Sequence, residues 1–515
     1  MNPLHLTAAR SLARIIAQLI LRPEIPRDWI SCTPAFIITG IFFGLTAPAL
    51  AEAATGDTLE TGSHVESSME YTAEIQQHRS TIDELQSNLG PFDPLLIQPI
   101  SALTDLLIEA GDFNEAIDLL EQQLQILRIN YGLSSSQQIA LLEKLMKLYA
   151  LRQDWEEVSD RLQYLSWVYG RDAQSPVPDL LAGLKRLRDW HMYVLNNDRR
   201  EREPEHLLSI RDISEKSLSL ALEYYGEDNP GVISYIYDRA QADLYIALAI
   251  MLTSETSPAL ITMTEGVTST GTTRLSRLRT ASDFEEAYGP RANTVINRSF
   301  RNNMSKHFAH ISTIRNYYAT AGNQEAEAMA LIYMGDSMLL RDQYESNPLA
   351  FAGQTRGSSN IGSANRYYSE ATSLLVDSGV PTADTDLFFS CPVLLPVNFF
   401  TPVFAANQTG CLQLSAADIL DLGDIHLLVD TVPDTQHLSI LVATEPETEI
   451  SSIVQFTVPG NGQPSRIKVL AADPDTVRNR VQARTIVDRL QFRPAIINGR
   501  PALSEKVTMR LILPE

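Results

Sequence analysis

Cysteine is scarce in this chain: Cys32, Cys391 and Cys411 are the three in 515 residues. That excludes a small disulfide-dense framework and the cysteine pairs of structural zinc modules. Basic charge is also short, with 41 Lys and Arg against 63 Asp and Glu and a net charge of −22. Phosphate binding needs a basic footprint, so nucleic acid is excluded as a partner. Catalytic signatures are missing too. The sequence has no His-Glu-x-x-His zinc motif, no Gly-x-Ser-x-Gly nucleophile elbow and no phosphate loop ending in Gly-Lys. His307 and His310 lie three apart, but no cysteine pair or nearby acidic cluster completes a four-ligand set. The expectation is therefore a non-enzymatic chain without a cofactor or a metal. What is present is globular: 44% hydrophobic and 20% charged residues, in a length that implies two to four domains.

The N-terminus reads as an address. Arg10, Arg14, Arg22 and Arg27 precede an apolar stretch over about 29–47, followed by Ala49-Leu50-Ala51-Glu52, a small-x-small pattern of the kind cleaved by signal peptidase. The stretch is short for a membrane span, which needs about 20 apolar residues. Residues 1–51 are expected to be a signal peptide cut between Ala51 and Glu52, with export to the periplasm. An uncleaved inner-membrane anchor is the alternative. Cleavage removes Cys32, and in an oxidising compartment Cys391 and Cys411, twenty positions apart, are expected to form a disulfide.

Residues 52–90 form a polar, partly helical segment. From 91 to 252 the apolar period is helical. Leu103, Leu106, Leu107 and Ala110 share a face; Gly111-Asp112 breaks the helix; Phe113, Ala116, Ile117, Leu120 and Leu124 begin the next face. Forty-two residues on, Leu145, Leu148 and Tyr149, a turn at Gln153-Asp154, and Trp155, Val158, Leu162 and Leu165 repeat the arrangement. The run Gly111-Asp112-Phe113-Asn114-Glu115-Ala116 resembles the inter-helix turn of a tetratricopeptide repeat, with Gln153 and Val158 replacing the glycine and alanine in the second copy. The long period resembles the extended repeats of kinesin-light-chain type, in which Tyr-Gly often closes the second helix; Tyr131-Gly132, Tyr169-Gly170 and Tyr225-Gly226 fit that pattern. Such pairs bury their apolar faces by stacking on neighbours. Residues 253–300, with 14 Ser or Thr in 253–282, read as a loop and irregular segment. Helical character resumes over 301–379, where Ile332, Met334, Met338 and Leu339 mark an amphipathic segment and 353–363 a Gly/Ser-rich insertion.

Near residue 380 the period changes. Residues 380–435 read as a Pro-rich irregular or β connector clamped by the Cys391–Cys411 disulfide. Strands are predicted at 425–429, 438–443, 453–458, 466–470 and 507–513, with a turn at Gly460-Asn461-Gly462. A helix is predicted over 476–490, capped by Asp473 or Asp475 and burying Val477, Val481, Val487 and Leu490. Ile453–Val458, Gly462-Gln463-Pro464, Ile467–Leu470, Phe492–Ala495, Asn498–Pro501 and the last strand resemble the TonB C-terminal domain over about 452–513. That resemblance implies a small α+β module within 436–515, with an antiparallel sheet. It also implies that the final strand, Val507, Thr508, Met509, Arg510, Leu511, Ile512 and Leu513, is an edge open to a partner. The long Pro-rich spacer of energy transducers is absent.

Charge divides the chain: residues 436–515 carry a net +2 and residues 52–435 a net −26. Arg478, Arg480, Arg484 and Arg489 read as a solvated helix face, with an acidic partner surface as the alternative. The combined expectation is multidomain α and α+β: a tetratricopeptide-like solenoid followed by the small sheet module. Its role would be a scaffold of a Gram-negative envelope, binding a protein or peptide, with membrane contact only if the N-terminal segment is uncleaved. The alternatives are an anchored component of a TonB-type energy-transducing transport system and a hydrolase whose site is assembled in space.

Overall fold

The computed structural model describes residues 61–171, 175–197, 203–252, 260–261, 292–345, 359–397, 400, 402, 418–421, 426–429 and 450–513. Most of them are helical, with a small antiparallel-sheet region at the C-terminal end. The signal segment, Ala51, Glu52, Cys411 and the strand expected at 438–443 lie outside the described residues. Among the described residues, no helix is long and apolar enough to cross a membrane.

The chain divides into two compact units, and the smaller one is described over 61–132. It holds α1 (Thr61–Leu89), α2 (Ile97–Glu109) and α3 (Phe113–Tyr131). Leu103, Leu107, Ala116, Ile117, Leu120 and Leu124 are buried between α2 and α3, as their spacing of three and four requires. Gly111, at φ +78°, ends α2 in the left-handed region, and its N–H donates to Ile108 O while the Asp112 N–H donates to Leu107 O. The Asp112 carboxylate then caps α3 by accepting from the Glu115 N–H.

The larger unit, from Leu133 on, opens with α4 (Ile139–Leu151) and α5 (Trp155–Arg171). It continues with α6 (Val177–Asn197), α7 (Glu203–Tyr225), α8 (Ile233–Leu252), α9 (Ala292–Ala321), α10 (Gln324–Glu345), α11 (Ser359–Asp377) and the short α12 (Thr382–Phe388). Each of α5 to α11 packs on its predecessor. The closure seen at 107–112 recurs at 149–154, 318–323 and 375–380, where the N–H groups of Asp154, Asn323 and Val380 donate to the carbonyls of Tyr149, Tyr318 and Leu375. Gly322 and Gly379 supply the positive φ in the later copies, whereas Gln153 adopts φ +58° without the freedom of glycine. Gly132 and Gly226 also end helices at positive φ, but Gly170 lies inside α5, so Tyr169-Gly170 is not a terminator.

Three boundaries differ from expectation. The irregular segment assigned to 253–300 gives up its last residues to α9, which begins at Ala292, and the insertion at 353–363 gives up 359–363 to α11. The segment around Ile332–Leu339 is not amphipathic. Within α10, residues 328–337 are all buried, because α9, α11 and a strand of the sheet module cover different sides of this helix.

The third difference concerns the C-terminal module, which does not begin at 436. β1 (Val393–Leu395), from the expected connector, pairs antiparallel with β6 (Gln491–Arg493). β2 (Asp418–Asp421) and β3 (His426–Val429) form a hairpin. β4 (Ile450–Thr457) is central in a three-stranded sheet, flanked by β5 (Ser465–Asp473) and β9 (Val507–Leu513). β7 (Ala495–Ile497) and β8 (Arg500–Ala502) make a further hairpin. Helix α13 (Val477–Arg489) packs on β4 and β5. Its buried side is Ala483, Ile486, Val487 and then Leu490, whereas Val477 and Val481 are 80% and 59% exposed. Val487 and Leu490 are buried as expected, but the rest of the buried face runs through Asn479, Ala483 and Ile486. Neither Asp473 nor Asp475 caps α13. The Thr476 hydroxyl accepts from the Asn479 N–H, while Asp475 pairs with Arg480.

Gln153→Gly removes the steric cost of the left-handed conformation at the end of α4 and is expected to stabilise the protein by about 1 kcal/mol. Urea unfolding of the variant against wild type measures it, and an unchanged or lower midpoint would contradict the strain assigned to Gln153.

Candidate functional site

The sheet module is keyed to the helices through Arg493 of β6 and Asp336 of α10, whose side chains are 6% and 7% exposed. Arg493 Nε donates to Asp336 Oδ1 at 2.9 Å, and Nη2 donates to Oδ2 at 2.5 Å. The Tyr368 hydroxyl of α11 donates to the same Oδ1 at 3.0 Å. The Arg493 guanidinium also lies 5.6 Å from the Tyr333 ring centroid. Burial alone would lower the Arg493 pKa, but the Asp336 carboxylate outweighs it and drives the value up, so the guanidinium stays charged. Gly335 makes the geometry possible. A Cβ there would sit 2.4 Å from Tyr368 Cε1, so any larger residue displaces the ring whose hydroxyl completes the carboxylate's shell.

Beside this pair is a small cavity lined by Tyr237, Gln241, His307, Tyr333, Asp336, Ser337 and the Leu395–Val397 segment, among others. His307 Nδ1 lies 2.9 Å from Ala240 O and Nε2 lies 2.8 Å from Ser337 Oγ. Burial lowers the His307 pKa to about 4, against weaker upward pulls from Ala240 O and Asp243, so the ring is neutral at pH 7. Its one proton goes to Nδ1, because Ala240 O can only accept; Nε2 is then an acceptor, and it competes with Tyr333 O, also 2.8 Å away, for the one proton of the Ser337 hydroxyl. A serine and a neutral histidine at this distance have the spacing of a nucleophile and its base. The cavity is about 10 Å³, however, room for roughly one water and not for an acyl substrate. Sequence reasoning missed Ser337, because its partner lies thirty residues away on another helix.

His307 and His310 do not converge on a common ligand: His307 bonds Ala240 and Ser337, while His310 faces Asp243 at 3.7 Å. Among the described residues, no group of three or more His, Cys, Asp or Glu is placed to hold a metal ion. Cys391 is disulfide-bonded; Cys411, its expected partner, is outside the described residues.

The two sheet edges differ. β5 shows register shifts opposite Ile453/Val454 and Gln455/Thr457, Arg466 at φ +55°, and a backbone carbonyl, Val469 O, that accepts from Arg480 Nη1 at 3.1 Å. β9 pairs with β4 in unbroken register from Ile450↔Leu513 to Phe456↔Val507, and among the described residues no strand pairs with its other side. Met509 and Leu511 point into the core formed with Val454, Phe456, Ile486 and Phe492. Thr508 is exposed. Of the arginines on α13, Arg478, Arg484 and Arg489 are exposed and Arg480 bridges to Asp475. No known protein-family model matches the chain, and no curated protein matches it.

Arg493→Met leaves the Asp336 carboxyl buried without its cation, an expected loss of about 3–5 kcal/mol. The double replacement Asp336→Leu with Arg493→Met restores most of it, and thermal unfolding of both variants provides the check. The pH dependence has a definite sign. The folded His307 pKa lies below its unfolded value near 6.5, so the folded state binds fewer protons and stability falls as pH drops from about 6.5 towards 4. The loss from this group amounts to about 3 kcal/mol. Urea unfolding at pH 7 and pH 4.5 should show a smaller difference for His307→Gln than for wild type.

Proposed function

We propose that the chain is an exported, non-enzymatic scaffold of a Gram-negative envelope, built from tetratricopeptide-like helix pairs and a TonB C-terminal-like module that binds an extended protein segment. Support for the repeat reading comes from the recurring helix closures at 107–112, 149–154, 318–323 and 375–380. The first two are forty-two residues apart, the spacing of the apolar faces.

The observation that carries the binding reading is the contrast between the two sheet edges. β5 is bulged and partly capped by Arg480, as an edge protected against pairing would be. β9 keeps a regular ladder on one side and is free on the other among the described residues. An extended segment added there gains main-chain hydrogen bonds, and its side chains read the two faces alternately. The alternative, an inner-membrane-anchored part of an energy-transducing system, needs a terminal module free to travel. The contacts Arg493–Asp336, Gln343 Nε2 to Arg489 O and Ile496 N–H to Phe389 O instead fasten the module to the helices, which favours the scaffold.

The test begins with C-terminally tagged protein recovered from the periplasm, whose intact mass should correspond to a chain starting at Glu52. A full-length species in the inner membrane would overturn the export reading. The purified protein is then screened against displayed random peptides. Met509 is unsuited to a proline probe, since its side chain belongs to the core. Val507, only partly buried against that core, and the exposed Thr508 form the pair of proline probes, because neighbouring residues of a strand turn their N–H groups to opposite sides. One of the two faces β4 and destabilises the sheet; the other is expected to fold as wild type and to lose peptide binding. Binding retained in that folded variant would reject β9 as the docking edge.

A further inference from the structure

The smaller unit carries a surface feature that the sheet module does not explain. Its described residues include five exposed large apolar side chains: Leu89 (45% exposed), Phe92 (46%), Leu95 (65%), Ile129 (52%) and Tyr131 (48%). All five fall in two short stretches, 89–95 between α1 and α2, and 129–131 at the end of α3. The stretches are held together, since Asn130 Nδ2 donates to Phe92 O at 2.8 Å and to Ile126 O at 2.9 Å. Backbone features pin each one. Gly90 and Gly132 take φ +95° and +89°, and the Asp93 carboxylate accepts from the Leu95 N–H. Single exposed apolar residues are ordinary on a protein surface, but a group confined to one tied corner is not.

Charge selects what covers this corner. Residues 61–132 contain twelve Asp or Glu and two Arg. Arg79 is already taken by Glu115, with Nη2 to Oε2 at 2.5 Å. Within the two apolar stretches the one charged residue is Asp93. An anionic lipid surface or a nucleic acid would be repelled by a net −10, and a second copy of this unit would bring the same charge. A cationic segment with apolar residues on one side satisfies both features, because its side chains fill the corner while Lys or Arg face the acidic surroundings.

We propose that the corner formed by Leu89, Phe92, Leu95, Ile129 and Tyr131 docks a cationic amphipathic segment of another protein. The inference rests on the scaffold reading but not on β9. It gives the acidic helical part a defined contact in place of a diffuse surface.

The probe is a fluorescent Lys/Leu amphipathic peptide of about five helical turns, titrated by anisotropy into protein starting at Glu52. Binding at low salt is expected, with weakening in about 0.5 M salt as exposed charges are screened. Phe92→Ser with Ile129→Ser keeps the charge and should weaken binding at low salt by at least about tenfold. The single variant Tyr131→Ser, with unfolding unchanged, should show a smaller loss in the same direction. Whichever of Val507→Pro and Thr508→Pro folds as wild type should leave this affinity unchanged, so failure here and failure at the strand are told apart. Wild-type affinity in the folded double variant would reduce the attraction to undirected charge and overturn the proposal. So would absence of binding at low salt. Sedimentation revealing a wild-type dimer that the double variant loses would also overturn it, by making a second copy the occupant.

Discussion

The Asp336 carboxylate is enclosed by groups from three parts of the chain: Arg493 on β6, Tyr368 on α11, and the Gly335 backbone that lets Tyr368 approach. An ion pair with both members about 6–7% exposed is costly to form and more costly to break, because each charge has lost its water and depends on the other. That dependence places the sheet module on the helices in one arrangement. Around it the Tyr237 hydroxyl and Gln241 Nε2 both donate to Val397 O, and Phe389 O accepts from the Ile496 N–H. The three-stranded sheet keeps a core of its own around Val454, Phe456 and Phe492, while Val393, Leu395, Val397 and Ile496 join the core of the helices, and α10 is buried because β6 covers the side that a surface helix would turn to water.

The polar residues near α10 are taken up in the packing between helices and module. Ser337, His307 and Asp336 converge, but what they converge on is backbone, a neighbouring hydroxyl and a guanidinium. The two surfaces proposed for recognition are the outer side of β9 and the apolar corner of the acidic smaller unit. The two offer different chemistry, backbone hydrogen bonds in one case and apolar contact within a negative field in the other.

Local pattern identified a large share of the elements. The faces around Leu103–Leu124 and Leu145–Leu165 follow from a 3.6-residue period, and the turn at Gly111-Asp112 from glycine beside a capping residue. The last strand is an alternation of Val507, Met509 and Leu511 against Thr508, and it appears with the expected bounds. The errors share a cause. Val477 and Val481 are apolar and so read as buried, but the face turned to the sheet is the one through Asn479, Ala483, Ile486 and Val487. Val393–Leu395 was assigned to a connector because its partner strand lies about a hundred residues further on.

Composition and period alone thus determined that the chain is mainly helical, ends in a small antiparallel sheet and is strongly acidic, since those properties depend on neighbours within a turn or a strand. Tertiary structure alone decided that Val393–Leu395 pairs with β6, which face of α13 is buried, and that Asp336, Ser337 and His307 meet. Each depends on pairs far apart in sequence, and a single chain carries no local signal for where a distant carboxylate will find its arginine.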